Sequence, residues 1–299
     1  MRNPAEKPAT QPALGGNAAA AKKALLIEAL SYIGKFKGQT VVIKYGGAAM
    51  VQNAFKVTFA ADVVLLQSLG LRPVVVHGGG PEVSKAIKAM GHEAQFVEGL
   101  RVTSLENLRV TEMVLSGTIN KEIIAHLNAQ GGSAVGLSGK DGHLIKARKM
   151  DTVKGIDLGF VGEIVRVNPA IVTLLLDNGY IPVISPIGMG DDGQTYNINA
   201  DTAASRIGAA LGAEKLIFMT DVPGLLEDGA LISSLTTDRA QALMDQGVIQ
   251  GGMLPKVEAM LHCLAHGVKS AHIISGMDHH AIIAELFTDK GIGTIITAG

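Results

Sequence analysis

Two lysines in this chain stand beside glycine pairs. Lys44 lies in the run Val41-Val42-Ile43-Lys44-Tyr45 just before Gly46-Gly47, and Lys256 follows Gly251-Gly252-Met253-Leu254-Pro255. Lysine is rarely buried unless it is paired. A lysine inside an apolar run therefore either faces solvent or reaches for an anion. Successive backbone N–H groups in a glycine turn, or at a helix start, form a nest for phosphate oxygens. A second such nest follows the run 72–77, at Gly78-Gly79-Gly80, and Gly131-Gly132 precedes another apolar run. Arg101, in Gly99-Leu100-Arg101-Val102-Thr103, could grip a carboxylate through two N–H bonds or be a plain surface arginine. Asn197 and Asp201, in Asn197-Ile198-Asn199-Ala200-Asp201, open a helix, where an acid can simply cap it or complement its dipole. Singly, none of these residues decides anything. Together they describe a pocket with two lysines, an arginine, two anion nests and a helix-opening acid. Phosphoryl transfer needs that set: positioning, and positive charge on the moving group and on the leaving oxygen.

Other motifs carry less. No G-x-x-x-x-G-K-[ST] loop is present. Gly188-Met189-Gly190-Asp191-Asp192-Gly193 matches G-x-G-x-x-G after a strand, but two aspartates stand where a pyrophosphate would lie and no helix begins at once, so a surface turn is expected. His262 and His266 have a zinc-compatible i, i+4 spacing, yet H-E-x-x-H is absent, and helix histidines are the expectation. Cys263 is expected to be a small buried hydrophobe. His77 is expected to be a hydrogen-bonded strand-end residue.

The elements that must hold these residues follow from the apolar pattern. The 299 residues include 37 glycines, where about 21 would be average. Hydrophobic residues make up 47%, and 26 Lys+Arg balance 27 Asp+Glu. That balance excludes a disordered chain and gives no footprint for nucleic acid or an anionic membrane. One cysteine excludes an internal disulfide or thiolate cluster. No apolar run reaches the roughly 18 residues of a bilayer span. Residues 1–17 read as a disordered tail without a secretory h-region, which points to the cytoplasm. Residues 18–37 form an amphipathic helix with Leu26, Ala29, Leu30, Ile33 and Phe36 on one stripe. It packs either on its own domain or against another subunit. From residue 40, buried strand patterns (40–45, 72–77, 133–137, 180–185, 215–220, 271–276, 293–297) alternate with helices, one of them running through 105–130. Such alternation predicts a three-layer α/β/α sandwich with a mainly parallel open sheet. Residues 143–149 and 161–167 alternate like half-exposed hairpin strands. A boundary near Gly212 divides two lobes, 38–212 and 213–299.

The motifs Ile43-Lys44-Tyr45-Gly46-Gly47, His77-Gly78-Gly79-Gly80-Pro81, Gly99-Leu100-Arg101-Val102-Thr103, Asn197-Ile198-Asn199-Ala200-Asp201, Thr220-Asp221-Val222-Pro223-Gly224 and Gly251–Lys256 resemble the amino-acid kinase family in order and spacing. The elements Leu100-Arg101-Val102-Thr103 and Asn197-Ile198-Asn199-Ala200-Asp201 resemble the branch that phosphorylates N-acetyl-L-glutamate. The resemblance implies ATP-dependent phosphorylation of that compound's γ-carboxylate, the second step of arginine biosynthesis. By analogy Lys44 and Lys256 neutralise the moving phosphoryl group and Asp201 orients them. Gly47 and Gly79 hold phosphoryl oxygens, and Gly79, Gly80, Arg101 and Asn197 line the acetylglutamate site. Thr220, Asp221, Gly251, Gly252 and Met253 lie near the nucleotide, and Mg²⁺ is held through phosphates and water, with no protein metal cage.

The extra N-terminal helix and the segment Glu285–Thr294 resemble arginine-inhibited members, in which that helix interlaces dimers into a hexamer, a trimer of dimers. This tilts the N-terminal helix toward an intersubunit role. L-Arginine is then an expected inhibitor, with Glu285, Lys215, His272 and Gly291 as its candidate ligands. Whether a nitrogen-signalling protein binds such a hexamer stays open. The rival readings are a kinase of an aminoadipate-type acid, a catalytically silent arginine sensor, and a dehydrogenase on the Gly188 motif.

Overall fold

The computed structural model describes residues 16–50 and 52–299. The expected tail, up to residue 15, lies outside the described residues.

Eight strands form the central sheet: β1 (Thr40–Tyr45), β2 (Arg72–His77), β3 (Ala134–Ser138), β4 (Ile181–Ser185), β5 (Lys215–Thr220), β6 (Ser234–Thr236), β7 (Ser270–Ser275) and β8 (Thr294–Thr297). Their order is β6-β8-β7-β5-β1-β2-β4-β3. All neighbouring pairs are parallel except β7 and β8. Strands such as β1 and β7 bury essentially every residue, because helices cover both faces. The helices are α1 (Gly16–Phe36), α2 (Asn53–Ser68), α3 (Gly80–Ala89), α4 (Leu105–Glu112), α5 (Asn120–Ala129), α6 (Ala170–Asp177), α7 (Ala200–Ala210), α8 (Thr237–Asp245), α9 (Leu254–Ala265) and α10 (Ala281–Leu286).

Two apolar clusters fill the two faces. One joins Val42, Val74 and Ile184 to Phe218, Met260 and Ile273; the other joins Ile43, Val75 and Phe59 to Ile217, Ile274 and Leu286. Each draws on residues before and after Gly212, and β1 pairs directly with β5. The halves therefore share one sheet. The helix expected across 105–130 is interrupted: residues Met113–Ile119 widen into a π-helical turn between α4 and α5. Apolar spacing alone cannot show one inserted residue, and such turns favour functional sites.

A separate four-stranded sheet joins the hairpin pair Ile145–Lys149 and Gly162–Val167 to Ile187–Met189 and Thr195–Asn197. The G-x-G-x-x-G segment is the turn between the last two of these, closed by Gly190 N–H to Gln194 O at 2.8 Å. It opens no helix.

Helix α1 buries Phe36 on the core, with Ala29, Tyr32 and Ile33 packed against it. Leu25, Leu26, Ile27 and Leu30 stay exposed by 54–69%. Among the described residues no helix is long and apolar enough to cross a membrane.

Candidate active site

The carboxyl ends of β1 and β2 lie side by side, with Tyr45 level with His77. Both strands run straight into glycines, and Gly78 N–H donates to Tyr45 O at 2.8 Å. Helix α3 begins there with Pro81 in its first turn. Its amino end, and so the positive end of its dipole, faces the space beyond the sheet. That space is a cleft walled by Lys44, Gly47, Gly79, Arg101, Asn197 and Asp201, among others.

Asp201 sits in the first turn of α7, which Asn199 caps by accepting from Asp201 N–H at 2.9 Å and Thr202 N–H at 3.0 Å. Lys256 Nζ donates to Asp201 Oδ2 at 2.9 Å. Lys44 Nζ lies 3.0 Å from the other oxygen, an ion contact without hydrogen-bond alignment. Burial pushes the Asp201 carboxyl up, but the two ammonium groups outweigh it and hold the group below its ordinary value. Two cations on one carboxylate leave a net positive charge at the mouth of a buried cleft. Gly46 makes room for it, since a Cβ there would meet Lys44 Nζ at 2.8 Å. At Gly79, with φ +154°, a Cβ would lie 2.2 Å from Ile119 Cδ1 on the π-helical turn.

Arg101 stands on the short strand Leu100–Val102 and is 7% exposed. One terminal nitrogen donates to Gly80 O at 2.8 Å and Ser84 Oγ at 2.9 Å. The guanidinium lies 4.6 Å from the Phe96 ring centre. Its other terminal nitrogen is buried and, among the described residues, has no partner. Such a donor, held rigidly and unsatisfied, suits an incoming carboxylate. Asn197 Nδ2 donates to Thr103 Oγ1 at 3.3 Å.

The expected nucleotide residues are not part of the cleft's lining. Thr220 ends β5 next to β1, and its Oγ1 accepts from Val222 N–H at 3.0 Å. Asp221 N is 3.8 Å from where a Cβ on Gly47 would stand. Gly251–Met253 form a single tight turn that leads into α9, and Met253 packs on the core. These residues flank the cleft without walling it. Both oxygens of Asp201 face ammonium groups, a donor set suited to orienting lysines rather than to enclosing a divalent cation.

Lys215, His272, Glu285 and Gly291 converge in a second hollow, closed by Tyr32 and Phe36 of α1. His272 Nδ1 lies 2.6 Å from Glu285 Oε1, and Lys215 Nζ lies 3.3 Å from His272 Nε2. Glu285 Oε2 accepts from Ile292 N–H at 2.7 Å and Gly293 N–H at 3.0 Å. Burial holds His272 neutral, so its Nδ1–H donates to an ionised Glu285. The His262 and His266 rings stack at 4.1 Å, and His262 Nδ1 bonds Ser205 Oγ at 3.1 Å. They belong to the packing of α9 on α7.

Sequence reasoning missed Asn120, which reaches His77 from α5, and Asp62, which reaches His280. The glycine-rich tail of β2 marks His77, but nothing local marks its partner 43 residues on.

Comparison with known proteins identifies the family. The pattern of the "Amino acid kinase family" matches residues 39–275. An acetylglutamate kinase of Caldanaerobacter subterraneus subsp. tengcongensis is 54% identical over 92% of this chain and 93% of its own. One of Geobacter sulfurreducens is 50% identical over 91% of this chain and 96% of its own. Among solved structures, an N-acetylglutamate synthase of Neisseria gonorrhoeae, complexed with coenzyme A and N-acetyl-glutamate, superposes with TM-score 0.83 at 29% identity over 92% of this chain. The chain spans 63% of that synthase's length. A match running from residue 39 to 275, with a relative more than half identical over nearly its whole length, makes the chain a member of the amino acid kinase family.

Proposed function

We propose that this chain transfers the γ-phosphoryl group of ATP to the γ-carboxylate of N-acetyl-L-glutamate, forming the acyl phosphate in the second step of arginine biosynthesis. The observation that carries this is the Lys44–Asp201–Lys256 cluster at the end of the sheet, in one cleft with the free nitrogen of Arg101. The acceptor and the donor are both anions. Bringing them together requires cations aimed at the transferring group.

An acceptor carboxylate oxygen attacks the γ-phosphorus while the bond to the ADP oxygen breaks. No bond to the protein forms. Lys44 and Lys256 offset the charge on the equatorial and leaving oxygens, and Asp201 fixes where both ammonium groups point. N–H groups of Gly47 and Gly79 meet phosphoryl oxygens. Arg101, with Gly80 and Asn197, holds the α-carboxylate end, and the hairpin strands at 145–149 and 162–167 cover the acetyl end. Residues 38–212 thus supply the acetylglutamate lobe and 213–299 the ATP lobe, with Thr220, Asp221, Gly251, Gly252 and Met253 beside the nucleotide. Mg²⁺ enters with ATP, held by phosphate oxygens and water.

The hollow at Glu285 suits a guanidinium, because an ionised carboxylate lies buried beside two aromatic rings. We read it as the site of feedback inhibition by L-arginine, with Lys215, His272 and Gly291 as its other ligands. The exposed apolar residues of α1 support its interlacing with another subunit in a hexamer. A chain of this kind works in the cytoplasm.

The test is ADP release measured with N-acetyl-L-glutamate, glutamate, aspartate and N-acetylaminoadipate as acceptors. Release dependent on N-acetyl-L-glutamate is the expected result. A preference for the aminoadipate compound would move the chain to the rival specificity.

A further inference from the structure

His77 is fully buried at the end of β2, where the three preceding residues are valines. A buried imidazole needs partners for both nitrogens. Its Nδ1 lies 2.8 Å from Gly78 O, and its Nε2 lies 3.2 Å from Asn120 Nδ2. A carbonyl can only accept and an amide NH₂ can only donate. The proton therefore sits on Nδ1 and the lone pair on Nε2. Asn120 is fixed in turn: its Nδ2 also donates to Val183 O at 2.9 Å, and its Oδ1 accepts from Lys121 Nζ at 3.1 Å. Gly136 leaves the space, since a Cβ there would fall 2.0 Å from Asn120 Oδ1.

Gly78 is thus pinned twice, by its N–H on Tyr45 O and by its C=O on the His77 ring. In a trans peptide the C=O of one residue and the N–H of the next point in opposite directions in one plane. With Gly78 O turned back to His77, the Gly79 N–H turns away from it. Among the described residues no protein group accepts that N–H, and Gly79 lines the cleft. Glycines rotate freely, so without the ring this peptide could flip and present its oxygen to the anion.

We propose that His77 is a positioning residue for phosphoryl transfer: its Nδ1–H locks the Gly78–Gly79 peptide so that the Gly79 N–H is aimed into the cleft, with Asn120 holding the ring in that tautomer. The proposal rests on the reading that this N–H meets a phosphoryl oxygen. Burial pushes the ring down to about 4, so it stays neutral and the lock holds at neutral pH.

Asparagine places an amide N–H near the position of Nδ1, whereas glutamine places its amide near that of Nε2. His77→Asn should keep kcat within a few-fold of wild type. His77→Gln should lose about 10²-fold in kcat, the size of one lost oxyanion donor, with both KM values little changed and a Tm close to that of His77→Asn. Equal losses in the two variants, or losses that follow Tm, would reduce His77 to packing. Should glutamine not be accommodated, Asn120→Ala frees the ring and should cost at least about fivefold in kcat at constant KM; no change there would also overturn the lock. The Gly79 amide resonance separates the two ideas, read with ADP, Mg²⁺, aluminium fluoride and N-acetyl-L-glutamate added. A shift in wild type and His77→Asn, lost in His77→Gln, supports the lock. A shift in all three overturns the lock and leaves the Gly79 contact standing. A shift in none removes that contact and the lock with it.

Discussion

Lys256 in the first turn of α9 donates at 2.9 Å to Asp201 in the first turn of α7, so two helix amino ends meet through one ion pair. Asp201 is favourably placed there, but a cation at a helix start opposes the dipole by about 0.3–1 kcal/mol. Lys256 is thus poorly sited for the stability of α9 and well sited for an anion in the cleft. Lys256→Met and Lys44→Met should each lower kcat by about 10²–10³ while Tm moves by only a few degrees. Losses under fivefold for both, in a steady-state assay, would remove the roles given to them.

Arg101 offers its free nitrogen from a guanidinium fixed by Gly80, Ser84 and the Phe96 ring. A lysine has one rotating donor group and cannot reproduce that fork. Arg101→Lys should raise the KM for the acceptor by about 10-fold or more, the value of one charge-assisted bond, and leave the KM for ATP within about twofold. A change confined to ATP would place Arg101 on the nucleotide.

Acid should weaken the fold through His77. Its folded-state value is about 4 against 6.5 for the free side chain. The unfolded chain therefore binds the proton first as pH falls. Stability from the neutral ring is full above pH 6.5 and is lost as pH falls from 6.5 toward 4, by about 3 kcal/mol at the end of that window. His262, also depressed to about 4 by burial, acts in the same direction. Urea midpoints at pH 7 and pH 5 should converge more for His77→Asn than for wild type, since asparagine does not titrate. Identical pH slopes would contradict this.

Arginine response should depend on Glu285. Glu285→Gln keeps the shape of the hollow and removes the charge. The arginine concentration giving half inhibition should rise by about 10- to 100-fold, the range for a hydrogen bond to a charged group. Deleting residues 1–37 should also abolish the response, because α1 closes the hollow with Tyr32 and Phe36. Undiminished inhibition in either variant would move the arginine site elsewhere.

Much of this arrangement is legible in the sequence because its signals are local. Continuous apolar runs such as 72–77 and 271–275 name interior strands, since both sheet faces are covered. Lys44 and Arg101 draw attention by standing in apolar or glycine-rich company. What stays hidden depends on partners distant along the chain. Asp62 and His280, 218 residues apart, meet at 2.6 Å at the start of α10. Nothing at either position announces the other. The π-helical turn at 113–119 keeps the apolar spacing of a helix, and only the structure shows that it brings Ile119 close against Gly79. The reversal of β8 escapes notice because parallel and antiparallel interior strands bury the same residues.

Strand β5 begins at Lys215, in the Glu285 hollow, and ends at Thr220, beside the cleft. It is hydrogen-bonded on one side to β1 and on the other to β7. A strand held on both edges can neither lengthen nor slip without breaking two ladders at once. Over six residues it is a strut of about 17 Å. The two hollows are therefore mounted on opposite ends of one strut, their separation set by a strand that both ladders hold in register.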